Sequence, residues 1–368
     1  MQTKIVVVGA GVMGAGIAWR AAEAGAAVTL VDPRPRSGAS WVAGGMLAPV
    51  TEAWPGEEDL LALGTDALRR WPEFAAELTA AGHDPGLRTE GTLVAAVDGA
   101  DREELTTLAT FLGSLGRDVE VLTGRQLRAV EPSLSASLRA GLSVPGDLAV
   151  DNRRLLDALL AAGVERGVRL VEVAATAVRP GAVDLADGGT VRADVVVLAA
   201  GAWSAGLHEG LRGVVRPVKG EILRLRGRPG SLPPPVRTVR GLVEGRHVYL
   251  VPRDDAGLVV GATQYEAGFD PGPRVGGVRD LLADAERLVP AVSDYTLVEA
   301  AAGFRPGSHD NLPVVRWLEP GVLAATGHGR NGMLLLPGTL AEVAVLLSEA
   351  VLSSRAALSS GAVSGTVR

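Results

Sequence analysis

The sequence predicts a mixed α/β (α+β) fold: a Rossmann-like nucleotide-binding domain with an interleaved, mainly antiparallel β-sheet domain. Three observations predict it. Residues 4–32 read as strand, glycine turn, helix, strand and acid. A second apolar strand, ADVVVLAAGAWS (193–204), appears about 190 residues after the first, so one sheet is assembled from distant pieces. From 215 to 265 the texture changes to alternating polar and apolar residues broken by Gly, Pro and Asp turns, which is the period of antiparallel strands.

In chain order, Ile5–Val8 is too short and too β-branched for a helix and reads as a buried parallel strand. Gly9, Gly11 and Gly14 then follow the spacing G-x-G-x-x-G. The first permits a tight turn, the second lets backbone approach a pyrophosphate, and the third lets helix and strand pack closely. The helix that follows offers its N-terminal amides to phosphate, and Asp32 closes the unit where a ribose hydroxyl would lie. This pattern binds a dinucleotide and leaves NAD and FAD both open.

Residues 33–50 are small and turn-forming, suited to passing close to a planar ligand. Helical spacing returns over 58–81 with an interruption at Pro72, then over 101–116 and 124–130, followed by a strand pair or loop at 137–152. Asp151 and Asn152 are good caps for a helix over 153–166. Short strands follow at 168–173, 176–179 and 182–185, and an amphipathic helix is expected at 275–289. The stretch 298–315 returns to the texture of a nucleotide fold, an apolar helix covers 339–351, and the tail after about 353 reads as frayed.

The turn Gly327-His328-Gly329-Arg330-Asn331-Gly332 also matches G-x-G-x-x-G. It is either a second dinucleotide site, as an NAD(P)-linked dehydrogenase would need, or a turn aiming a helix N-terminus at an electron-rich group. A flavin ring, which gains negative charge on reduction, suits the second and favours FAD.

Composition narrows the classes. A chain of 368 residues can bury a large core, and a net charge of −6 without a basic patch argues against nucleic acid. With no cysteine there are no disulfides, thiolate metal sites or Cys-linked cofactors, and five scattered histidines make a metal site unexpected. The apolar N-terminus carries the nucleotide motif, so export is rejected, and no uninterrupted apolar run suits a bilayer; a cytoplasmic protein is the expectation. Lysine occurs only at 4 and 219, Arg supplying every other basic residue, a bias of the kind a GC-rich genome produces.

These residues resemble the D-amino-acid-oxidase/glycine-oxidase group of FAD-dependent amine oxidoreductases over nearly the whole chain. The resemblance rests on VVVGAGVMGAGIA with Asp32, GASWVAGGML, DVVVLAAGAWS, RPVKGEILRL, HVYLVPR with GATQYE, AGFRPGSHDNLPVV and ATGHGRNGMLL. It implies an FAD-binding domain at 1–85, 148–214 and 305–368, and a substrate-binding domain at 86–147 and 215–304. It implies noncovalent FAD held by Val12, Met13, Asp32, Pro33, Ser40, Gly44, Gly45 and Met46, by backbone near Ala175, and by His328, Gly329, Arg330, Asn331, Gly332, Met333 and Leu334. The activity it implies is oxidative deamination of glycine or a small amine such as sarcosine or D-alanine. Hydride would pass to flavin N5, O2 would be reduced to H2O2, and the imine could feed a thiazole synthase in thiamine biosynthesis. A D-amino-acid or N-methyl-amino-acid oxidase of the same fold is the alternative, and a homo-oligomer, a tetramer by resemblance, is expected. Two positions depart from the group: Asp32 stands where Glu is common, and Gln264 where Met is usual beside the pocket, which makes that wall more polar.

Arg305, in GFRPG, is the candidate for the substrate carboxylate, because a planar guanidinium binds carboxylate in two prongs that Lys cannot match. Pairing with Asp310 is its structural alternative. Tyr249 and His247 alternate on one strand face, so both can enter one pocket; Tyr249 would bond the carboxylate and His247 would shape the amine side. Arg330, in the turn that would face the flavin, would bind either the substrate carboxylate or ring oxygens.

Overall fold

The computed structural model describes residues 2–363, with side chains through Glu349. Its nucleotide sheet has six strands in the order Val314–Glu319, Val322–Thr326, Val195–Leu198, Lys4–Val8, Ala27–Val31, Arg169–Val171. All pairs are parallel except the hairpin at 314–326. The distant strand at 195–198 sits directly beside the first strand, Ile5 opposite Val195, as its unbroken apolar run requires. Helices Val12–Glu23, Glu58–Ala80, Asn152–Glu165 and Gly332–Val363 build the main core with it, around Ile17, Trp19, Trp71, Leu155 and Leu336.

The second sheet has eight strands, ordered Thr296–Gly307, Arg216–Arg226, Gly257–Gly261, Arg246–Pro252, Thr238–Val243, Thr92–Ala96, Ala140–Val144, Glu120–Thr123. Only the pair 92–96 with 238–243 is parallel, so the sheet is mainly antiparallel as expected. Thr296–Gly307 lies in this sheet along its length, and the chain rejoins the nucleotide sheet at Val314.

Several local expectations change. The helix expected to break at Pro72 runs unbroken from Glu58 to Ala80. Proline removes one backbone donor, but Leu61, Trp71, Phe74 and Leu78 bury the helix face on both sides of it. The helix expected at 101–116 begins at Gly99, because Asp98 and Asp101 form a reciprocal cap. The last helix starts at Gly332 and its bounds run to Val363, and 364–368 lie outside the described residues. By length and mean hydropathy (1.4) the segment 329–349 could cross a bilayer. Half of it is buried within the protein, however, with Leu334, Leu335, Leu336 and Leu340 in the main core. No strand follows the 327–332 turn among the described residues, so it completes no second βαβ unit.

Candidate active site

One cavity of about 940 Å³ lies between the carboxyl ends of the nucleotide-sheet strands and the large sheet, the place where α/β folds bind ligands. At one end the glycine turn leaves the first strand. Gly9 has φ +103°, and a Cβ there would lie 2.4 Å from the Ala199 carbonyl oxygen. A Cβ on Gly14 would lie 1.8 Å from the Gly9 oxygen, so Gly14 acts beneath the turn and off the cavity wall. Gly11 caps the helix without a side chain; the cap comes from Ser40, whose Oγ accepts from Val12 N–H at 3.1 Å. Asp32 lies on the wall and braces the turn: its carboxylate accepts from the amides of Ala10 (2.7 Å) and Arg34 (2.8 Å).

Gly11, Val12, Met13, Pro33, Ser40, Gly44, Gly45, Met46 and Ala175 line the same cavity, as do His328, Gly329, Arg330, Gly332 and Met333 from the far end of the chain. Asn331 and Leu334 do not. Both border a small separate pocket, and the Leu334 carbonyl accepts from the Trp71 indole at 2.9 Å. Side chains here alternate by the pitch of the turn and helix, so a contiguous motif cannot all face one way. His328 is fully buried against Thr339 Oγ1 at 3.0 Å; burial pushes its pKa down to about 3, and it is neutral.

At the other end Arg305 enters from strand 296–307. Its guanidinium lies over Gly220, where a Cβ would be 2.3 Å from Nη1, and Nη1 donates to the Thr263 carbonyl at 3.3 Å. Among the described residues it has no carboxylate partner. Asp310 instead accepts from the Leu312 amide. Tyr249 lies beside it in the cavity, its ring so close to Gly44 that a Cβ there would lie 2.6 Å away. Burial raises the phenol's pKa despite the nearby guanidinium of Arg305, so it stays a donor. His247 does share this face. It is half-exposed, edge-on to Trp54 at 5.2 Å and 3.6 Å from Glu104, and burial together with Arg240 lowers its pKa. Arg330 is committed to the acids of the 48–57 segment, donating to Glu57 and to the Glu52 carbonyl.

Other residues on or behind the cavity wall escaped the sequence reading. Arg240 donates to Glu52 at 2.7 Å, both nearly buried on the cavity wall. Its place within an alternating strand was the available signal. Asn152, read only as a helix cap, donates to the carbonyls of Ser40 and Trp41, and Arg253 donates to the Gly44 carbonyl at 2.6 Å. Together they hold the 40–45 segment against the cavity.

Asp147 anchors the neighbouring segment, accepting from the Thr51 hydroxyl (2.7 Å), the Thr51 amide and the Val50 amide. Burial outweighs these donors and raises its pKa from 3.8 to about 6. The folded state therefore binds this proton more tightly than the unfolded chain. Stability is expected to fall as pH rises from 3.8 to 6, by about 3 kcal/mol at ~1.4 kcal/mol per unit. Urea unfolding at pH 4, 5, 6 and 7 checks it: Asp147→Asn should flatten that slope, and an unchanged slope would place its origin elsewhere.

No metal-binding cluster is present among the described residues. The glycine cradle, the capped helix terminus and a single cavity running to Arg305 and Tyr249 fit FAD. The chain is 34% identical to glycine oxidase of Geobacillus kaustophilus over 355 residues, covering 93% of this chain and 92% of that one. The crystal structure of glycine oxidase from that organism superposes with a TM-score of 0.84 at 32% identity, covering 95% of each chain. A bifunctional protein ThiO/ThiG of Nostoc is 34% identical over 358 residues, 95% of this chain but only 53% of its own length. A putative thiamine biosynthesis oxidoreductase ThiO of Rhizobium etli is 36% identical over 345 residues, covering 93% and 95%. The model of the FAD dependent oxidoreductase (DAO) family matches residues 4–345, and the chain belongs to that family of flavoproteins.

Proposed function

We propose that the protein is a glycine-oxidase-type amino-acid oxidase, converting glycine, O2 and water to glyoxylate, ammonia and H2O2, with sarcosine and D-alanine as related substrates. The observation that carries this reading is the Arg305 guanidinium, without a carboxylate partner among the described residues, beside the Tyr249 phenol, at the end of the cavity opposite the glycine turn. When bound, FAD supplies the two-electron acceptor for the amine and returns the electrons to O2.

The residues do the positioning. Arg305 grips the substrate carboxylate in two prongs, and Tyr249 donates a third hydrogen bond. The Gly44–Gly45 segment, held by Arg253, which also donates to Asn152 Oδ1, forms the wall against Tyr249. Glu52 and Glu57 are both engaged by guanidinium groups, so neither is placed as a free base, and the amine gives its proton to water on entry. Gln264 on the wall adds a polar group there and favours a small, polar amine.

The ThiO/ThiG relative supports a thiazole-forming enzyme as consumer of the imine. A cytoplasmic homo-oligomer completes the reading, as does a cofactor-binding body at 1–85, 148–214 and 305–368 with a substrate body at 86–147 and 215–304. A peroxide assay on flavin-loaded protein with glycine, sarcosine, D-alanine and D-proline tests the substrate. Glycine and sarcosine should be turned over; peroxide from D-proline or D-alanine alone would make it a D-amino-acid oxidase of the same fold.

A further inference from the structure

The strand 216–226 has two faces. Gly220 and Ile222 face the cavity, and alternation turns Lys219 and Glu221 to the opposite side. Both are completely buried, with 0% side-chain exposure. Of the chain's two lysines, Lys219 is the interior one, in a sequence that elsewhere uses Arg. A compact ammonium with three donors suits a closed site that a guanidinium fork would overfill.

The partners of this pair all come from one segment, 263–274, which crosses the outer face between strand 257–261 and helix 275–288. Lys219 Nζ donates to Asp270 Oδ2 at 2.7 Å and to the Gly272 carbonyl, and lies 3.7 Å from Glu221. Its ammonium holds the Asp270 carboxyl below the usual carboxylate range. Glu221 accepts from the Arg274 amide at 2.7 Å and from the Thr263 hydroxyl at 3.0 Å, while Thr263 Oγ1 accepts from the Glu221 amide. Between these anchors Phe269 stacks on Trp203 at 5.2 Å and meets Phe304 edge-on at 5.3 Å. Thr263 and Gln264 then turn into the cavity wall, where the Thr263 carbonyl accepts from Arg305.

We propose that the buried Lys219 and Glu221, with the half-exposed Asp270, form a clamp that positions the Thr263–Gln264 wall and, through the Thr263 carbonyl, the Arg305 guanidinium. These are positioning residues. They touch no substrate, yet they set carboxylate affinity from the far side of the sheet. The proposal deepens the amino-acid reading and rests on Arg305 as carboxylate receptor.

Two variants test it. Asp270→Asn removes the charge at a half-exposed partner (48%), which leaves the core packing intact; Lys219→Met removes the buried ammonium. Each is loaded with flavin and titrated with glycolate, the hydroxy analogue that keeps glycine's carboxylate, following the flavin absorbance. Glycine kinetics are read alongside. The clamp requires Kd for glycolate and KM for glycine to rise together, about threefold to fivefold in Asp270→Asn and at least tenfold in Lys219→Met. kcat should stay within a factor of three, and flavin content should be unchanged. A purely structural role would instead lower kcat, flavin content and melting temperature together, and that result overturns the clamp. Wild-type glycolate affinity in flavin-loaded Asp270→Asn overturns it as well, whatever happens to the buried variant. Failure of the substrate reading is separate: the wild-type enzyme would then bind glycolate and oxidise neither glycine nor sarcosine.

Discussion

Arg305→Ala should lower kcat/KM for the amino-acid substrate by about 10²–10³, nearly all of it in KM, with flavin still bound. Two charge-assisted hydrogen bonds to the carboxylate, at ~1.5–3 kcal/mol each, make up a loss of that size. Arg305 has no carboxylate of its own among the described residues, so its removal leaves no buried acid stranded. Arg305→Lys should recover only part of the loss, since a point charge replaces a planar fork over Gly220. Steady-state kinetics and the visible spectrum of the same preparations decide it. A colourless variant, or a fall in kcat at constant KM, would assign Arg305 to the cofactor or to the fold.

Gly14→Ala should be still more damaging, but at the other end of the cavity. The added methyl would sit 1.8 Å from the Gly9 oxygen, so helix 12–23 must move off the first strand or the turn must open. Overpacking of backbone against backbone costs about 3 kcal/mol or more. It also shifts the turn amides and the helix terminus that are to meet phosphate. FAD affinity should fall at least a hundredfold and the melting temperature of the apoprotein should drop, read by ultrafiltration of released flavin and by calorimetry. Full yellow colour at wild-type stability would mean that the turn tolerates a wider spacing than its contacts show.

These two residues also show how differently legible the chain was. Gly14 could be placed from sequence because its role is local: the strand, turn and helix that need it lie within 4–32, and sterics dictate the spacing. Arg305 could be named from its motif, but its freedom from Asp310 depends on a strand register with 216–226 that no local pattern encodes. The break expected at Pro72 failed for the same reason, since the contacts that keep that helix continuous come from elsewhere, the Leu334 carbonyl among them. Asn331 and Leu334 followed the reading of their turn and still face away from the cavity.

The sequence by itself determined the nucleotide-binding βαβ unit, the distant strand that closes its sheet and the antiparallel sheet between. Each is written in periodicity or in a spacing that sterics enforce over a few residues. Tertiary structure alone decided which charges are spent and which are free. Arg330 and Arg240 are bound to the acids of the 48–57 segment, Lys219 is sealed behind the sheet, and Arg305 remains open to a carboxylate. A charge pairs with whatever the fold brings within about 4 Å, and those partners lie tens to hundreds of residues away in the chain.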